Sequence, residues 1–136
     1  MNTKLKADIA ESAVITELLK RGFNVLKPVG DRLSYDLAVD VNKKLLRIQV
    51  KSAWFYRGVY KVDARMTKTN RGRMIRKYYN ENDFDFAIIY IQDLNIFYIM
   101  PQPIFSSYKS EISLVEIAKR QRTSKSSEYR ENWNLL

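Results

Sequence analysis

Strict alternation of apolar and polar residues marks two neighbouring segments in the first half of the chain. Every second residue is apolar from Tyr35 to Val41, and again from Leu46 to Val50 within the segment 45–51. A period of two predicts β-strands with one buried face. Matching apolar to apolar positions pairs Leu37 with Ile48, because a slip of one residue would oppose apolar and polar side chains. The remaining Asn42-Lys43 predicts a tight turn, so the pattern predicts an antiparallel hairpin.

The polar face of this hairpin brings together three side chains of complementary chemistry. The register places Asp36 opposite Gln49, with about 5 Å between their Cβ atoms, and Lys51 lies diagonal to Asp36 at roughly 7–8 Å. A carboxylate, an amide oxygen and an ammonium at these separations can hold a divalent cation against a phosphodiester. Nucleic-acid cleavage is therefore the leading hypothesis, and an ordinary solvated hairpin face is the alternative.

The N-terminal segment follows a helical period instead. The spacing of its apolar residues predicts a helix over residues 3–21, and Gly22 supplies the end of it. Glu11 falls in the same sector as Val14 and other apolar residues. A carboxylate there needs a partner, and we expect a metal ion or the ammonium of Lys51. A glutamate bent outward to another lysine or arginine is the alternative.

The rest of the chain predicts further strands and one more helix. The apolar run Phe86–Ile91 is typical of a buried central strand, and shorter strands are predicted at 23–27, 59–63 and 96–100. Residues 113–122 predict a helix with a basic end. Ser124–Ser127 predicts a flexible linker to the final residues.

This order of elements predicts a single α/β domain over residues 1–136. It has an N-terminal helix followed by a mixed central β-sheet flanked by helices, and a C-terminal helix and tail at 112–136. The strand at Ile96 to Met100 and the tail around Trp133 are equally compatible with an oligomer interface and with the core.

Composition narrows the chemistry. The chain has 24 Lys and Arg, 15 Asp and Glu, and neither cysteine nor histidine. Disulfides, thiolate metal sites, zinc fingers and histidine general bases are thereby excluded. Any base must be a carboxylate, a lysine, a tyrosine or a metal-bound hydroxide. No segment approaches the length of a membrane span, and the N-terminus does not resemble a signal peptide. We therefore expect an intracellular, cytoplasmic protein that is associated with the nucleoid when bound and has no membrane partner.

The positive charge is concentrated in one segment. Between Lys43 and Lys77 there are twelve Lys or Arg and one acid, Asp63. Cations mixed with hydroxyl and amide donors suit phosphate contacts, so we expect residues 61–79 to bind double-stranded DNA. A solvated charged face is the alternative. The candidate DNA-binding residues are Lys61, Arg65, Lys68, Arg71, Arg73, Arg76 and Lys77.

At this point the residues resemble a known family. The strings Ser34-Tyr35-Asp36-Leu37 and Arg47-Ile48-Gln49-Val50-Lys51-Ser52 are similar to the core of the PD-(D/E)XK nuclease superfamily. That core has a helix bearing a Glu, then a hairpin bearing Asp and (D/E/Q)-x-Lys. The chain is most similar to the endonucleases encoded in group I introns, because of three further segments. They are Asp85–Tyr90, Phe97–Pro101 and the tail from Tyr129 to Leu136 with Trp133.

Two positions depart from the family pattern. Asp36 is not preceded by proline, which the family tolerates. Gln49 replaces the usual acid and removes one negative charge from the metal site, unless Glu11 supplies it.

The resemblance implies a restriction-endonuclease-like core and an Mg²⁺-dependent deoxyribonuclease, with Mn²⁺ as a substitute cation. Asp36 would bind the metal together with the side-chain oxygen of Gln49 and the backbone carbonyl of Val50. Glu11 would hold a second metal or a metal-bound water. Lys51 would orient the attacking water and neutralise the phosphate. The products would carry a 5′-phosphate and a 3′-hydroxyl.

The function expected from these features is site-specific, homing-type double-strand cleavage. A domain with one active site needs two copies to cut both strands, so we expect a homodimer or a homotetramer. A structure-selective Holliday-junction resolvase with the same core is one alternative. A catalytically inert DNA-binding module is another, favoured by the missing acid at Gln49.

Overall fold

The computed structural model of this protein describes residues 2–116 and 124–136. The elements along these residues are α1 (Thr3–Lys20), β1 (Asn24–Leu26), β2 (Leu37–Val41), β3 (Lys44–Ser52), β4 (Trp54–Tyr56), β5 (Val59–Asp63), β6 (Arg65–Asn70), β7 (Arg73–Tyr78), β8 (Phe86–Ile91), β9 (Ile96–Pro101), α2 (Gln102–Ser107), β10 (Glu111–Leu114), and two 3₁₀ turns at Ser127–Tyr129 and Trp133–Leu135.

A five-stranded mixed sheet forms the centre of the fold, in the order β1-β2-β3-β8-β9. Strands β3 and β8 are parallel, and the other neighbours are antiparallel. The predicted hairpin is confirmed, because Leu37 pairs with Ile48 and Val39 with Leu46. Its turn is at Asn42-Lys43, where φ is 51° and 68°. The sequence therefore determines which side chains of β3 face each side of the sheet.

Helix α1 covers one face of this sheet. It begins at the predicted position because Asn2 caps it, with the side-chain oxygen accepting from the backbone N–H of Lys4 at 2.7 Å. It ends before Gly22, whose φ of +85° suits a residue without a Cβ. Val14 and Leu18 are fully buried in the cluster beneath the helix. Burying each such side chain contributes about 1.5–3 kcal/mol.

The opposite face of the central sheet was predicted to be covered by helices, and the structure differs there. A three-stranded sheet in the order β10-β5-β4 and the short helix α2 pack there, around a cluster that contains Phe84 and Phe105. The prediction of an N-terminal helix and a mixed central sheet is confirmed. The prediction of flanking helices holds for α1. On this second face of the described chain, most of the layer is a sheet.

The predicted C-terminal elements need correction. The helix predicted from Ser113 is wrong at its start, because Ser113 and Leu114 belong to β10. That strand alternates exposed and buried residues and pairs with β5, so tertiary pairing overrides local helix propensity. Residues 117–123 lie outside the described residues.

The segment after the undescribed residues is packed against the domain. Ser126 is 1% exposed, and its hydroxyl lies 2.9 Å from that of Ser124, so the predicted flexible linker is wrong here. Trp133 and the interior residues of β9 are buried in the core of the chain. The core interpretation therefore holds for both segments that were also interface candidates.

The strands β6 and β7 form a separate two-stranded antiparallel ribbon, which we call the basic ribbon. Arg71 and Gly72 make its turn with positive φ values. Every residue of β7 is exposed. Within residues 2–116 and 124–136, no helix has the length and apolar character needed to cross a membrane.

Candidate active site

Asp36 is fixed to strand β3 by two hydrogen bonds. Its backbone N–H donates to the carbonyl of Ile48 at 2.9 Å, which continues the β2–β3 ladder by one residue. Its Oδ2 accepts from the backbone N–H of Val50 at 2.9 Å. The carboxylate is thereby held beside the segment that carries Gln49 and Lys51, as the predicted register requires.

Asp36, Gln49 and Lys51 line one cavity of about 330 Å³, which we call the active-site groove. The structure therefore brings these three predicted residues together on the face of the sheet opposite α1. The loop before β2 and the base of the basic ribbon complete the walls. The remaining lining residues are Asp31, Arg32, Leu33, Ser34, Met66, Thr67 and Tyr79.

Lys51 is held by groups from the ribbon side of the groove. Its Nζ donates to the backbone carbonyl of Arg65 at 2.8 Å. The same nitrogen lies 5.0 Å from the ring centroid of Tyr79, a cation–π distance. Burial lowers the pKa of Lys51 to about 8, and the negative charges of Asp63 and Asp36 oppose that shift. The lysine is thus positioned by backbone and aromatic contacts rather than by direct pairing with Asp36.

Asp36 is a carboxylate in an unfavourable environment. Burial raises its pKa above the ordinary aspartate value, and the nearby charge of Glu11 raises it further. The hydrogen bond from Val50 and the positive charge of Lys51 act in the opposite direction. The net shift is upward, so the protein leaves part of the charge on Asp36 uncompensated. A bound cation would supply the missing compensation.

The partner of Glu11 is not Lys51, which was one of the two expected partners. Its Oε1 lies 2.5 Å from Nζ of Lys27, a lysine that follows β1. The alternative prediction, an outward-turned glutamate paired with a surface lysine, holds for this residue. The ion pair raises the pKa of Lys27.

Glu11 nevertheless remains near Asp36. Both line a second cavity of about 290 Å³, together with Asp8, Lys27 and the loop from Pro28. Asp36 contributes to both cavities and stands between Glu11 and the active-site groove. Glu11 therefore acts on the groove through its charge.

The ligand set fits a hard divalent cation. In the described residues, no group of three or more Asp, Glu, His or Cys is arranged to hold a metal. The candidate donors are instead one carboxylate, one amide oxygen and one backbone carbonyl, which are the oxygen ligands that Mg²⁺ uses. The Gln49 amide nitrogen lies 3.4 Å from the carbonyl oxygen of Val50. Rotation of the amide by 180° would exchange its nitrogen and oxygen, and the oxygen would then be available to a cation in the groove that Gln49 shares with Asp36.

The predicted DNA-binding residues fall into two groups. Arg71, Arg73 and Lys77 are exposed on the basic ribbon. Among the described residues, no carboxylate lies within ion-pair distance of these three. The side chain of Lys68 lies outside the described residues.

The second group is tied to acids within the protein. Lys61 pairs with Glu111 at 3.5 Å. Arg65 and Arg76 both bind Asp63, at 3.1 and 3.3 Å. Part of the cationic charge at the base of the ribbon is thus already balanced.

Several site residues were missed by sequence reasoning. Tyr79 and the loop 31–34 reach the groove through tertiary packing, which no local pattern predicts. The ribbon itself had a signal, since Asn70-Arg71-Gly72 between two mixed segments is typical of a hairpin turn.

A larger cavity of about 410 Å³ shares Tyr79 with the groove and is lined also by Ala64, Tyr78, Ser106 and Lys109.

Comparisons with known proteins point to a family of nucleases. The family model of the PD-(D/E)XK endonucleases matches residues 1–136. Among solved structures, the chain is similar to a bacterial homing endonuclease, I-Ssp6803I, with 54% sequence identity and a TM-score of 0.91. The match covers 99% of this chain and 93% of that one. The comparison with curated proteins found no match.

Proposed function

The chain belongs to the PD-(D/E)XK endonuclease family, and from this premise we propose that it is a Mg²⁺-dependent, site-specific DNA endonuclease of the homing type. The observation that carries the proposal is the convergence of Asp36, Gln49 and Lys51 in one groove. The basic ribbon borders that groove through Met66 and Thr67. Chemistry and phosphate binding are thus adjacent.

The groups that would hold the cation are the Asp36 carboxylate, the Gln49 side-chain oxygen and the Val50 carbonyl. When bound, Mg²⁺ stabilises negative charge on the scissile phosphate and lowers the pKa of water, and Mn²⁺ can replace it. Gln49 takes the position of the family's second acid and contributes an oxygen without a charge. Asp36 is therefore the one charged ligand in this set, and we expect its removal to be more damaging than the loss of Gln49.

Lys51 is the cation that faces the reacting phosphate. Its ammonium has three donors, of which the Arg65 carbonyl accepts one. The others are available to a phosphate oxygen and to the attacking water. Because Lys51 is partly desolvated, its interaction with a phosphate is stronger than that of a lysine in bulk water.

Glu11 and Lys27 form the outer boundary of the site. The ion pair between them keeps a carboxylate close to Asp36 without making it a direct neighbour of Lys51. A second metal or a metal-bound water would take Glu11 as its protein ligand. Lys27 would have to release the carboxylate for that role.

The basic ribbon is proposed to contact double-stranded DNA. A two-stranded β-ribbon fits the major groove of B-DNA, and exposed arginines and lysines on it reach both phosphates and base edges. Arg71, Arg73 and Lys77 are the leading contacts because they are exposed on the ribbon. Cutting both strands requires two active sites, so we propose that the enzyme acts as a homodimer or a homotetramer.

Plasmid cleavage tests this proposal. The full chain is incubated with a plasmid pool containing candidate target sites, in Mg²⁺ or in EDTA, beside the variants Asp36→Asn and Asp40→Asn. Asp40 is a matched control because it is an exposed aspartate on β2, the strand that Asp36 immediately precedes. We expect cleavage by the wild type and by Asp40→Asn in Mg²⁺ only. Asp36→Asn should lose at least roughly a thousandfold in rate, as expected when the charged metal ligand is removed.

Three outcomes would contradict the proposal. Metal-dependent cleavage that persists in Asp36→Asn would refute the assignment of the site. DNA binding without cleavage by the wild type would instead identify a non-catalytic binding module. Preferential cutting of branched over linear DNA would replace the homing activity with that of a junction resolvase.

A further inference from the structure

Asp63 joins the basic ribbon to the active-site groove through an unusual set of contacts. It ends β5, and its Oδ1 accepts from the backbone N–H of Arg65 at 2.9 Å and from the Nε of Arg65 at 3.1 Å. Its Oδ2 lies 3.3 Å from Nε of Arg76. Arg65 begins the first ribbon strand, and Arg76 belongs to the returning strand. One carboxylate therefore holds both strands at the base of the ribbon.

The same carboxylate controls the position of the Arg65 backbone. The bond from Arg65 N–H to the Asp63 side chain closes a local turn two residues long, a common way for aspartate to fix the following backbone. The carbonyl of Arg65 is the group that accepts the hydrogen bond from Lys51 Nζ at 2.8 Å. A continuous chain of short contacts thus runs from Arg76 through Asp63 and Arg65 to Lys51.

We propose that Asp63 is a positioning residue that couples DNA engagement by the basic ribbon to the placement of Lys51 in the active-site groove. This inference rests on the proposed nuclease function. Asp63 does not line the active-site groove, and its carboxylate contacts Arg65 and Arg76. It acts by holding the Arg65 carbonyl at the point where the Lys51 ammonium is anchored.

Exposure indicates the direction in which the coupling works. The side chain of Arg76 is 49% exposed, whereas that of Asp63 is 26% exposed. A DNA phosphate can therefore approach Arg76 from solvent and share its guanidinium with Asp63. Binding of DNA to Arg76 then shifts the base of the ribbon. The Asp63 carboxylate passes this shift to the backbone of Arg65. Target recognition on the ribbon thereby influences the lysine that faces the phosphate.

The experiment separates DNA binding from cleavage. Affinity is measured with a catalytically silent Ca²⁺ or EDTA buffer, and the single-turnover rate is measured in Mg²⁺ on the same linear DNA duplex. The variants are Asp63→Ala, which removes every contact, and Asp63→Asn, which keeps an acceptor for the Arg65 N–H. Glu111→Gln is the matched control. Glu111 is the residue of β10 that lies opposite Asp63 in the register with β5, and its carboxylate also binds a basic residue, Lys61.

We expect cleavage to fall while binding does not. Asp63→Ala should slow single-turnover cleavage by roughly tenfold to a hundredfold, the usual effect of misplacing a catalytic group by about 1 Å. Asp63→Asn should lose less, and Glu111→Gln should cleave like the wild type. The DNA affinity of both Asp63 variants should be equal to the wild-type value or higher, because an acid beside the phosphate-binding cations has been removed.

Other results would overturn the proposal. Wild-type cleavage by Asp63→Ala would show that the residue does not position Lys51. A parallel loss of binding and cleavage would indicate only a structural role in the ribbon. If Asp63→Ala fails to give a cooperative melting curve, Asp63→Asn decides by the same criteria. Absence of cleavage by the wild type would instead count against the proposed function itself.

Discussion

The active-site groove and the basic ribbon both contain positively charged side chains, but these side chains differ in their exposure to solvent. Lys51 is half-buried in the groove, where desolvation lowers its pKa to about 8. The ribbon residues Arg73 and Lys77 are exposed to solvent along β7. The positive charge in the groove is therefore partly desolvated, which is unfavourable. The positive charges on the ribbon are stabilised by water.

Under the proposed function, this difference separates catalysis in the groove from DNA binding by the ribbon. A desolvated cation beside a carboxylate interacts strongly with one phosphate in a fixed position, which suits transition-state stabilisation. Solvated cations bind phosphates through counterion release, which suits affinity and depends on salt. Substitutions in the groove should therefore change the rate, and those on the ribbon should change the affinity.

The largest expected effect in this comparison is that of Lys51→Met. The substitution keeps much of the side-chain volume and removes the ammonium, so single-turnover cleavage should fall by roughly a thousandfold. DNA affinity at saturating cation should change by less than about threefold, because one contact among many is lost. Lys44→Met is the control, since Lys44 is an exposed lysine on the same strand. A loss of affinity as large as the loss of rate would contradict the separation.

An intermediate effect is expected for the ribbon double variant Arg73→Ala/Lys77→Ala. Its affinity should fall tenfold or more at low salt, and the slope of log K against log salt should decrease by about 1.8, or 0.9 for each lost phosphate contact. Cleavage at saturating protein should remain within a few-fold of the wild type. Arg71 is left unchanged because it forms the turn of the ribbon with Gly72, and the variant is meant to keep that turn intact.

The matched control for charge is the double variant Lys4→Ala/Lys20→Ala. These residues are exposed on α1, on the face of the sheet away from the groove. An equal change of salt slope in both double variants would mean that general charge, rather than the ribbon, determines DNA affinity.

The smallest expected effect is on stability. Since burial raises the folded-state pKa of Asp36, its ionisation at neutral pH favours unfolding. Asp36→Asn keeps an acceptor for the Val50 N–H and removes the buried charge, so its melting temperature in EDTA should rise by about 2–6 °C. As the pH falls through the folded-state pKa towards 3.8, the wild type loses this penalty and the two curves should converge. A variant less stable than the wild type at pH 7 would contradict the account of Asp36.

Local sequence patterns were sufficient for the parts of the fold whose periodicity is strong. Helix α1 and the β2–β3 hairpin follow their predicted bounds within two residues, because burial of one face demands the pattern. Their register also brought Asp36, Gln49 and Lys51 into one groove. Strand β10 could not be predicted in this way, since it pairs with β5 about fifty residues earlier in the chain.

The same distinction applies to the site. The residues that β2 and β3 position were predictable, because strand alternation fixes their face. The partner of Glu11 was not, because Lys27 reaches it through the path of a loop. The contacts of Asp63 depend on the return of β7 to the base of the ribbon, and the sequence alone marked Asp63 only as the one acid in a basic segment.

Paramagnetic Mn²⁺ offers the most direct test of the central claim that the groove, and not the ribbon, binds the catalytic cation. Mn²⁺ is titrated into isotope-labelled protein, and broadening of each backbone amide signal is recorded by NMR. The account predicts that the amide signals of Asp36, Gln49, Val50 and Lys51 broaden selectively, with little effect at Arg73 and Lys77. In Asp36→Asn this broadening should be lost. Broadening centred on any other part of the chain, or unchanged in Asp36→Asn, would contradict it.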